Sequence, residues 1–243
     1  MSPTFLPPTL GAERVRVDVA PWRLSGVVVA AQLNHRPQLA ALADAAQRPP
    51  YKALPSAPVL AVKPRNTLAL DGDDVPAGAE GLDVGATLGI VIGRVACRVS
   101  AAEALSHVAG YLVANDLSAP IPGDTPHYRP GARFKLRDRS CPLGREVVPV
   151  AAVADPDALA VQVWIDGVLA QATDTAERVR GVAQLIADVS DFMTLNPGDL
   201  LLLGVAQGAP RALPGQTVTV EIDGVGRLTN RLVHDDLSTG SAA

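Results

Sequence analysis

The chain has 243 residues, of which 48% are hydrophobic and 19% charged, and its formal net charge is −4. This composition excludes intrinsic disorder over most of the chain, because enough apolar surface can be buried to offset backbone entropy. The acidic balance argues against a nucleic-acid partner, since such proteins are usually basic. The 21 glycines and 21 prolines predict many turns and short strands rather than a helical bundle.

The sequence also suggests where the protein resides. Cys97 and Cys141 are too few for a disulfide scaffold and lack zinc-site spacing, so we expect reduced thiols. No apolar run reaches the ~20 residues of a membrane-spanning helix, and the first residues lack the pattern of a signal peptide. We therefore expect a soluble, cytoplasmic protein that contacts no membrane.

The first half of the chain is predicted to be rich in strands. Residues 1–24 form a variable extension, in which the alternating stretch 15–19 can pair at a sheet edge. Apolar, β-branched runs predict strands at 26–33, 59–62 and 87–99. The capping-box sequence at 100–103 predicts a helix to about Ala109, followed by a strand at 111–114.

The second half continues in the same style. Alternation predicts a strand at 158–165, and Asp166-Gly167 indicates a hairpin turn after it. Helical spacing of apolar residues predicts a helix at 175–193. A buried strand at 200–203 and a closing hairpin at 217–233 complete a single mixed β (α+β) domain over 25–237, with a rolled sheet, few short helices and a disordered tail at 238–243.

One segment is unusually basic for an acidic chain. It carries five cations, Arg129, Arg133, Lys135, Arg137 and Arg139, around a single acid, Asp138. Such a cluster is either a site for a small anionic ligand or a solvated basic loop. If the segment is extended, the four cations from 133 to 139 share one face, which favours the anion site.

Other polar residues stand where predicted strands end. His35 is either a general base or a hydrogen-bonded structural residue. Asp116 is either a metal ligand, a residue that orients a neighbour, or a turn former. Arg65 follows the second strand. The glycine turns lack the spacing of a phosphate-binding loop, so nucleotide binding is excluded.

Several motifs make the chain resemble the fumarylacetoacetate hydrolase superfamily, over about residues 26–236. They are Leu33-Asn34-His35, Lys63-Pro64-Arg65-Asn66-Thr67, Val91-Ile92-Gly93-Arg94, Val108-Ala109-Gly110-Tyr111 with Asn115-Asp116, Tyr128-Arg129-Pro130, Lys135-Leu136-Arg137-Asp138, Phe192-Met193-Thr194-Leu195-Asn196-Pro197-Gly198-Asp199 and Gly224-Val225-Gly226-Arg227-Leu228. The resemblance implies a fumarylacetoacetate-hydrolase-like β-roll that commonly dimerises. Within the superfamily it looks closest to the isomerase/decarboxylase of homoprotocatechuate (4-hydroxyphenylacetate) degradation.

The resemblance also implies a metal site that this chain has largely lost. Typical members hold Mg²⁺ or Mn²⁺ with an E-x-E pair and the Asp of a following N-D. Here the E-x-E positions are Gly85 and Thr87, and only Asp116 remains. We therefore expect no tightly bound metal in this chain, and Mg²⁺ or Mn²⁺ in typical members or in a paralogous partner.

Further positions depart from the superfamily pattern or follow it. The lid-helix H-x-x-E pair is replaced by Gln38 and Ala41, and the G-T-P turn reads Gly204-Val205-Ala206. By resemblance, the candidate catalytic residues are Lys135, Asp116, His35 and Asp138. The candidate substrate-binding residues are Arg129, Arg137, Arg65 and Gln171.

At the E-x-E positions this chain reads Gly85-Ala86-Thr87. The same G-A-T sequence is typical of the N-terminal half of bifunctional members, which are built from two fused homologous halves, so the chain resembles that half. The resemblance therefore implies a free-standing subunit of 5-oxopent-3-ene-1,2,5-tricarboxylate decarboxylase / 2-hydroxyhepta-2,4-diene-1,7-dioate isomerase. Its substrate would be a small dicarboxylate or tricarboxylate keto acid, and it would form a homodimer or a hetero-oligomer with a paralogous subunit. The alternative is a metal-less, non-catalytic subunit that assembles with a metal-bearing paralogue.

Overall fold

The computed structural model of the chain describes residues 15–16, 26–49, 53–121 and 132–235. Within these ranges the chain forms a nine-stranded sheet, a five-stranded sheet and a two-stranded ribbon. In chain order the strands are β1 (Val15–Arg16), β2 (Val28–Gln32), β3 (Val59–Lys63), β4 (Leu68–Leu70), β5 (Asp74–Ala77), β6 (Leu82–Asp83), β7 (Ala86–Ile92), β8 (Val108–Asn115), β9 (Cys141–Leu143), β10 (Glu146–Pro149), β11 (Ala160–Ile165), β12 (Val168–Asp174), β13 (Leu200–Leu202), β14 (Arg211–Ala212), β15 (Thr217–Ile222) and β16 (Gly226–His234).

Helices are short and few among the described residues. They are α1 (Arg36–Ala46), α2 (Ala101–Ala104), α3 (Ala132–Lys135) and α4 (Val182–Ser190), with 3-10 turns at Arg65–Thr67, Leu105–His107 and Val150–Ala152. No helix in this part of the chain has the length and apolar character needed to cross a membrane.

The large sheet is built around its two longest buried strands. Its strand order is β1-β10-β8-β7-β13-β2-β3, with β9 also paired to β8 and β4 paired to β9. Every residue of β7 and β8 is buried, and the two strands pair antiparallel so that Ala86 lies opposite Asn115. This register brings the start of β7 beside the end of β8, where Asp116 follows.

The small sheet has the order β12-β11-β15-β16-β5 and covers one face of the large one. Strand β15 alternates half-buried and buried residues, because only one face of this antiparallel sheet meets the core. Valine, leucine and isoleucine side chains from both sheets and from α4 join in one apolar cluster. An aliphatic core therefore holds the two layers together.

The predicted fold class is confirmed: the chain is mixed α+β, with a curled sheet and few helices. The hairpin at Asp166-Gly167 joins β11 and β12, and both turn residues have positive φ. The capping box at Ser100 opens α2, and the closing hairpin of β15 and β16 forms. At the sheet edge, Val15–Arg16 pairs with β10.

Three predicted elements are wrong in extent. The helix predicted to reach about Ala109 ends at Ala104 and continues only as a 3-10 turn to His107, because β8 begins at Val108. The strand predicted at 87–99 ends at Ile92, because the amides of Gly93 and Arg94 turn to bond the His107 carbonyl. The helix predicted from 175 begins only at Val182, since the preceding residues pair in extended form with the segment before α1. The helix α1 itself was not anticipated from the local residue pattern.

Candidate active site

The site begins where β7 and β8 meet. The Asp116 amide donates to the Gly85 carbonyl at 2.8 Å, and the Gly85 amide donates to the Asn115 side chain at 2.9 Å. These bonds fasten the end of β8 to the residue before β7. They hold the Asp116 carboxylate in the interior, where only 1% of its side chain is exposed.

Three side chains from other elements converge on this carboxylate. Lys63, the last residue of β3, makes an ion pair with one oxygen of Asp116, and its own side chain is fully buried. Lys135, the last residue of α3, places its Nζ 3.5 Å from the other oxygen. The Gln32 amide, at the end of β2, donates to that second oxygen at 3.2 Å.

This arrangement leaves an excess of positive charge in a buried place. Burial by itself raises the pKa of the Asp116 carboxyl, but the charges of Lys135 and Lys63, with the Gln32 amide, outweigh burial and hold it below its usual range. The carboxylate is therefore ionised, and one negative charge faces two ammonium groups. Burial raises the pKa of the neighbouring Cys141 thiol to about 12, which keeps that thiol protonated and unreactive.

The two lysines differ in their access to solvent. Lys63 also donates to the Lys135 carbonyl at 2.9 Å, so it ties β3 to α3 from inside. Lys135 is 12% exposed and lines a cavity of about 370 Å³. Of the two ammonium groups at Asp116, the one on Lys135 is therefore the group that a ligand in the cavity can reach.

The cavity lies between the end of β2, helix α1 and the loop after β13. Gln38 and Ala41 of α1 line one side, and Val205 and Ala206 line another. These are the positions at which the family resemblance places the lid-helix pair and the G-T-P turn. The structure thus brings Lys135, the lid positions and the turn positions around one cavity.

His35 and Gln171 support the loop that forms one wall of this cavity. The backbone N–H of Gln207 donates to His35 Nδ1 at 3.1 Å. The side-chain amide of Gln171 donates to the backbone carbonyls of Gln207 and Gly208 at 3.0 and 3.1 Å. Because Nδ1 accepts a hydrogen bond, the neutral His35 ring carries its proton on Nε2, which lies 3.3 Å from a Glu177 carboxylate oxygen. Both residues therefore contact the loop backbone.

Residues 132–139, the described part of the basic segment, are not extended, so the condition under which its four alternating cations would share one face is not met. Residues 132–135 form the single turn α3, which sends Lys135 toward Asp116. Arg137 instead pairs with Asp235 at 2.7 Å, and Asp138 accepts from the Asn66 amide at 2.7 Å. Arg65 lies in the 3-10 turn after β3 and is exposed, whereas Arg129 lies outside the described residues.

Sequence reasoning missed Lys63 and Gln32 as members of the site. Gln32 ends the buried strand β2 and Lys63 ends the half-buried strand β3. They lie 84 and 53 positions away from Asp116 along the chain, so no local pattern connects them with it. The scarcity of lysine was an available signal: the chain contains three lysines among its 21 basic residues, at positions 52, 63 and 135.

The residues present do not fit a divalent ion. Such an ion prefers several oxygen ligands, ideally charged, and Gly85 supplies none. The Thr87 hydroxyl accepts from the Gly204 amide at 3.0 Å, and both Asp116 oxygens face nitrogen donors. In the described part of the chain, no group of three His, Cys, Asp or Glu side chains is arranged to hold a metal.

Gly85 also lacks room for any side chain. A Cβ at this position would lie 2.2 Å from the Asp116 carbonyl oxygen. We expect Gly85→Ala to lower the free energy of unfolding by about 1–3 kcal/mol, because the joined ends of β7 and β8 must separate. Urea unfolding measures this. Gly78→Ala is the control, since a Cβ there meets nothing within 4 Å, and equal losses in the two variants would contradict the account.

His35 predicts a pH effect on stability. Burial and the nearby Arg178 guanidinium lower the pKa of His35 from its ordinary value of 6.5, against the opposing charges of Glu177 and Asp174. The unfolded chain then binds the proton more readily, so the free energy of unfolding falls as pH drops below 6.5. His35→Gln should flatten that part of the stability curve in urea titrations. Parallel curves for the two proteins would show that His35 does not titrate as described.

Comparisons with known proteins place this geometry in context. A family model described as Fumarylacetoacetate (FAA) hydrolase C-terminal matches residues 27–233. The 4-hydroxyphenylacetate degradation bifunctional isomerase/decarboxylase of Escherichia coli is 38% identical over 213 residues, which is 87% of this chain and 48% of that protein. The chain therefore spans about half the length of this curated relative.

Solved structures of other proteins share this fold over most of the chain. The 2-hydroxyhepta-2,4-diene-1,7-dioate isomerase from Mycobacterium marinum superposes with a TM-score of 0.69 and 29% identity, over 88% of this chain and 76% of that one. A maleylpyruvate hydrolase from Sphingobium sp. SYK-6, solved with manganese(II) and pyruvate, has a TM-score of 0.68 and 25% identity, over 86% and 70% of the two chains. Manganese and pyruvate are thus ligands of a protein with this fold.

Proposed function

Because the chain belongs to the fumarylacetoacetate hydrolase C-terminal family, we propose that it binds a small keto acid with two or three carboxylates. We propose further that it takes part in the decarboxylation of 5-oxopent-3-ene-1,2,5-tricarboxylate and the isomerisation of 2-hydroxyhepta-2,4-diene-1,7-dioate. The names of the Escherichia coli relative and of the Mycobacterium marinum structure support this reaction class. Since the chain spans about half of that relative, its full activity would draw on a second subunit.

The observation that carries the proposal is the buried lysine pair at Asp116, open to the cavity through Lys135. An ammonium group beside a compensated carboxylate attracts the carboxylate of a ligand. In the low dielectric of a partly closed cavity, it also stabilises negative charge that develops on a neighbouring oxygen. Both proposed reactions develop negative charge on the 2-oxo oxygen of the substrate, because each passes through an enolate of the keto acid.

The other residues receive supporting roles in this proposal. Asp116 fixes the two ammonium groups, and the Gln38 amide offers a neutral donor from the lid side of the cavity. His35 and Gln171 position the loop wall through its backbone. Arg65, Arg129 and Arg137 stay candidates for binding the substrate's outer carboxylates, and Asp138 stays a candidate catalytic residue.

In this proposal the divalent metal is bound by a partner subunit. The donor set at Asp116 does not suit Mg²⁺ or Mn²⁺, so we propose that this chain binds neither tightly and that a metal-bearing paralogue supplies that chemistry where it is needed. The assembly would be a hetero-oligomer with that paralogue, or a homodimer where the chain acts without it. The manganese in the related hydrolase structure supports the role of a divalent ion elsewhere in the family.

A second candidate function is that of a non-catalytic subunit. The loss of two oxygen ligands at Gly85 and Thr87, together with the half-length match to bifunctional relatives, favours it. In this case the chain would complete the assembly of a metal-bearing paralogue. The cavity and its lysine would then be vestiges of an older site.

Turnover of the purified chain separates these candidates. The two substrates are followed by ultraviolet absorbance, with EDTA for the chain alone and with Mn²⁺ in place of EDTA after mixing with a metal-bearing paralogue. Turnover that needs this chain and is lost in its Lys135→Ala variant supports the catalytic proposal. Turnover only in the mixture, unchanged by that variant, establishes the non-catalytic subunit. No effect of this chain in any mixture would overturn both.

A further inference from the structure

The use of lysine in this chain is highly selective. Of the 21 basic residues, 18 are arginines, at positions 14, 16, 23, 36, 48, 65, 94, 98, 129, 133, 137, 139, 145, 178, 180, 211, 227 and 231. In the described chain, arginines make the ion pairs with Asp235, Asp188, Asp83 and Glu221. Two of the three lysines, by contrast, meet at one buried carboxylate.

At Lys135, which lines the cavity, a static ion pair does not explain that choice. Arginine binds a carboxylate with a rigid fork of donors and loses less order per hydrogen bond, so it suits a purely structural pair better than lysine does. What lysine has and arginine lacks is a nitrogen that becomes a nucleophile when it gives up a proton. A lysine that lines a cavity, in a chain whose other ion pairs use arginine, therefore points to chemistry at the amine.

The geometry separates the duties of the two lysines. Lys63 is fully buried and holds Asp116 together with Gln32, so the carboxylate stays compensated without Lys135. Lys135 lines the cavity, and its Nζ has the Asp116 carboxylate 3.5 Å away. That carboxylate is placed to accept the proton that the amine must lose before its nitrogen attacks a carbonyl carbon.

We propose that Lys135 forms a Schiff base with the carbonyl carbon of a 2-oxo acid, so that an iminium group serves as the electron sink. This inference rests on the proposed function, because it assigns a covalent role to the same cavity. The iminium at Lys135 would serve as the electron sink that a metal ion provides in typical family members. Gly85 and Thr87 do not supply the carboxylate ligands for such an ion in this chain. The substrate class is a 2-oxo acid with a carboxylate or an acidic C–H conjugated to the carbonyl.

The chemistry balances without any added reactant. The Lys135 ammonium and the ketone give a protonated imine and one water. The nitrogen forms a double bond to the carbonyl carbon and loses two protons, and the carbonyl oxygen leaves with these two protons as water. The iminium then accepts the electron pair of a conjugated C–H bond or of a C–C bond to a carboxylate, which releases a proton or carbon dioxide. The resulting enamine is protonated at carbon, and water hydrolyses the imine to return the ketone and the ammonium.

Borohydride trapping tests the proposal directly. The full-length chain is incubated with pyruvate and EDTA, reduced with sodium borohydride, and analysed by intact mass and by peptide mapping. We expect one reduced pyruvate per chain, located on Lys135. We expect Lys135→Arg, which keeps the positive charge but cannot form an imine, to lose the adduct at least tenfold.

The third lysine provides the matched control. Lys52→Arg should retain the full adduct, because Lys135 is still present. An adduct spread evenly over the lysines and the N-terminus would overturn the proposal as non-specific chemistry. Saturable pyruvate binding or keto-acid turnover without a trapped adduct would overturn the Schiff base and leave the proposed function standing, whereas absence of adduct, binding and turnover alike would overturn both.

Discussion

Replacing Lys135 with alanine is expected to lower kcat/KM for the keto acid by about 10²-fold or more, since the reachable ammonium group is lost. The same change should alter the free energy of unfolding by less than about 1 kcal/mol, because Lys63 and Gln32 still hold Asp116. Steady-state kinetics of the active assembly and urea unfolding of the purified chain measure the two effects. A large loss of activity with little loss of stability is the signature of a site residue.

Arg231→Ala is a suitable control for this experiment. Arg231 is exposed on β16, where it pairs with the start of β5, away from the residues that line the cavity. We expect that variant to keep both activity and stability. Unaltered turnover in Lys135→Ala would assign the chain to the non-catalytic role.

Asp116→Asn is expected to have the largest effect on stability. The amide leaves the Lys63 ammonium, whose side chain is fully buried, without a counter-charge. Breaking a buried ion pair in this way costs about 3–5 kcal/mol. Urea unfolding near neutral pH should show the loss.

The exposed pair of Arg227 with Glu221 gives the comparison for Asp116. Glu221→Gln should cost no more than about 1 kcal/mol, because water compensates both groups. The pKa of the Asp116 carboxyl lies below its ordinary value of 3.8, so its stabilising effect is present above that pH and is lost as pH falls through the lowered pKa. A difference between wild type and Asp116→Asn that persisted in strong acid would contradict the ion-pair explanation.

Much of the β structure could be predicted because its signals are local. Apolar β-branched runs, the Asp166-Gly167 turn and the capping box at Ser100 each act within a few residues. The structure confirms the corresponding strands, hairpin and helix start. Local sequence therefore sufficed wherever the deciding contacts were local.

The errors occur where tertiary contacts decide the backbone. Helical spacing continues before Val182, yet residues there bond to Asn34 and Arg36 and stay extended. Helix α1 carries a proline in its first turn, which favours a helix start, but its alanine-rich sequence has little amphipathic pattern.

The candidate site shows the same division. Asp116 and Lys135 were predicted, by a strand end and by a basic segment with a family motif. Their meeting with Lys63 and Gln32 depends on how β2, β3 and β8 lie in one sheet, which no short motif encodes. The family pattern identified the missing ligands, while the sheet shows that ammonium groups surround the remaining carboxylate.

Metal content of the purified chain tests that last statement most directly. After incubation with Mn²⁺ and extensive dialysis, elemental analysis of the wild-type chain should find far less than one ion per chain, since Lys63 and Lys135 already neutralise Asp116. A full equivalent of manganese retained by the wild type and lost in Asp116→Asn would contradict the account, and the chain would then have to be treated as a metal-dependent member of its family.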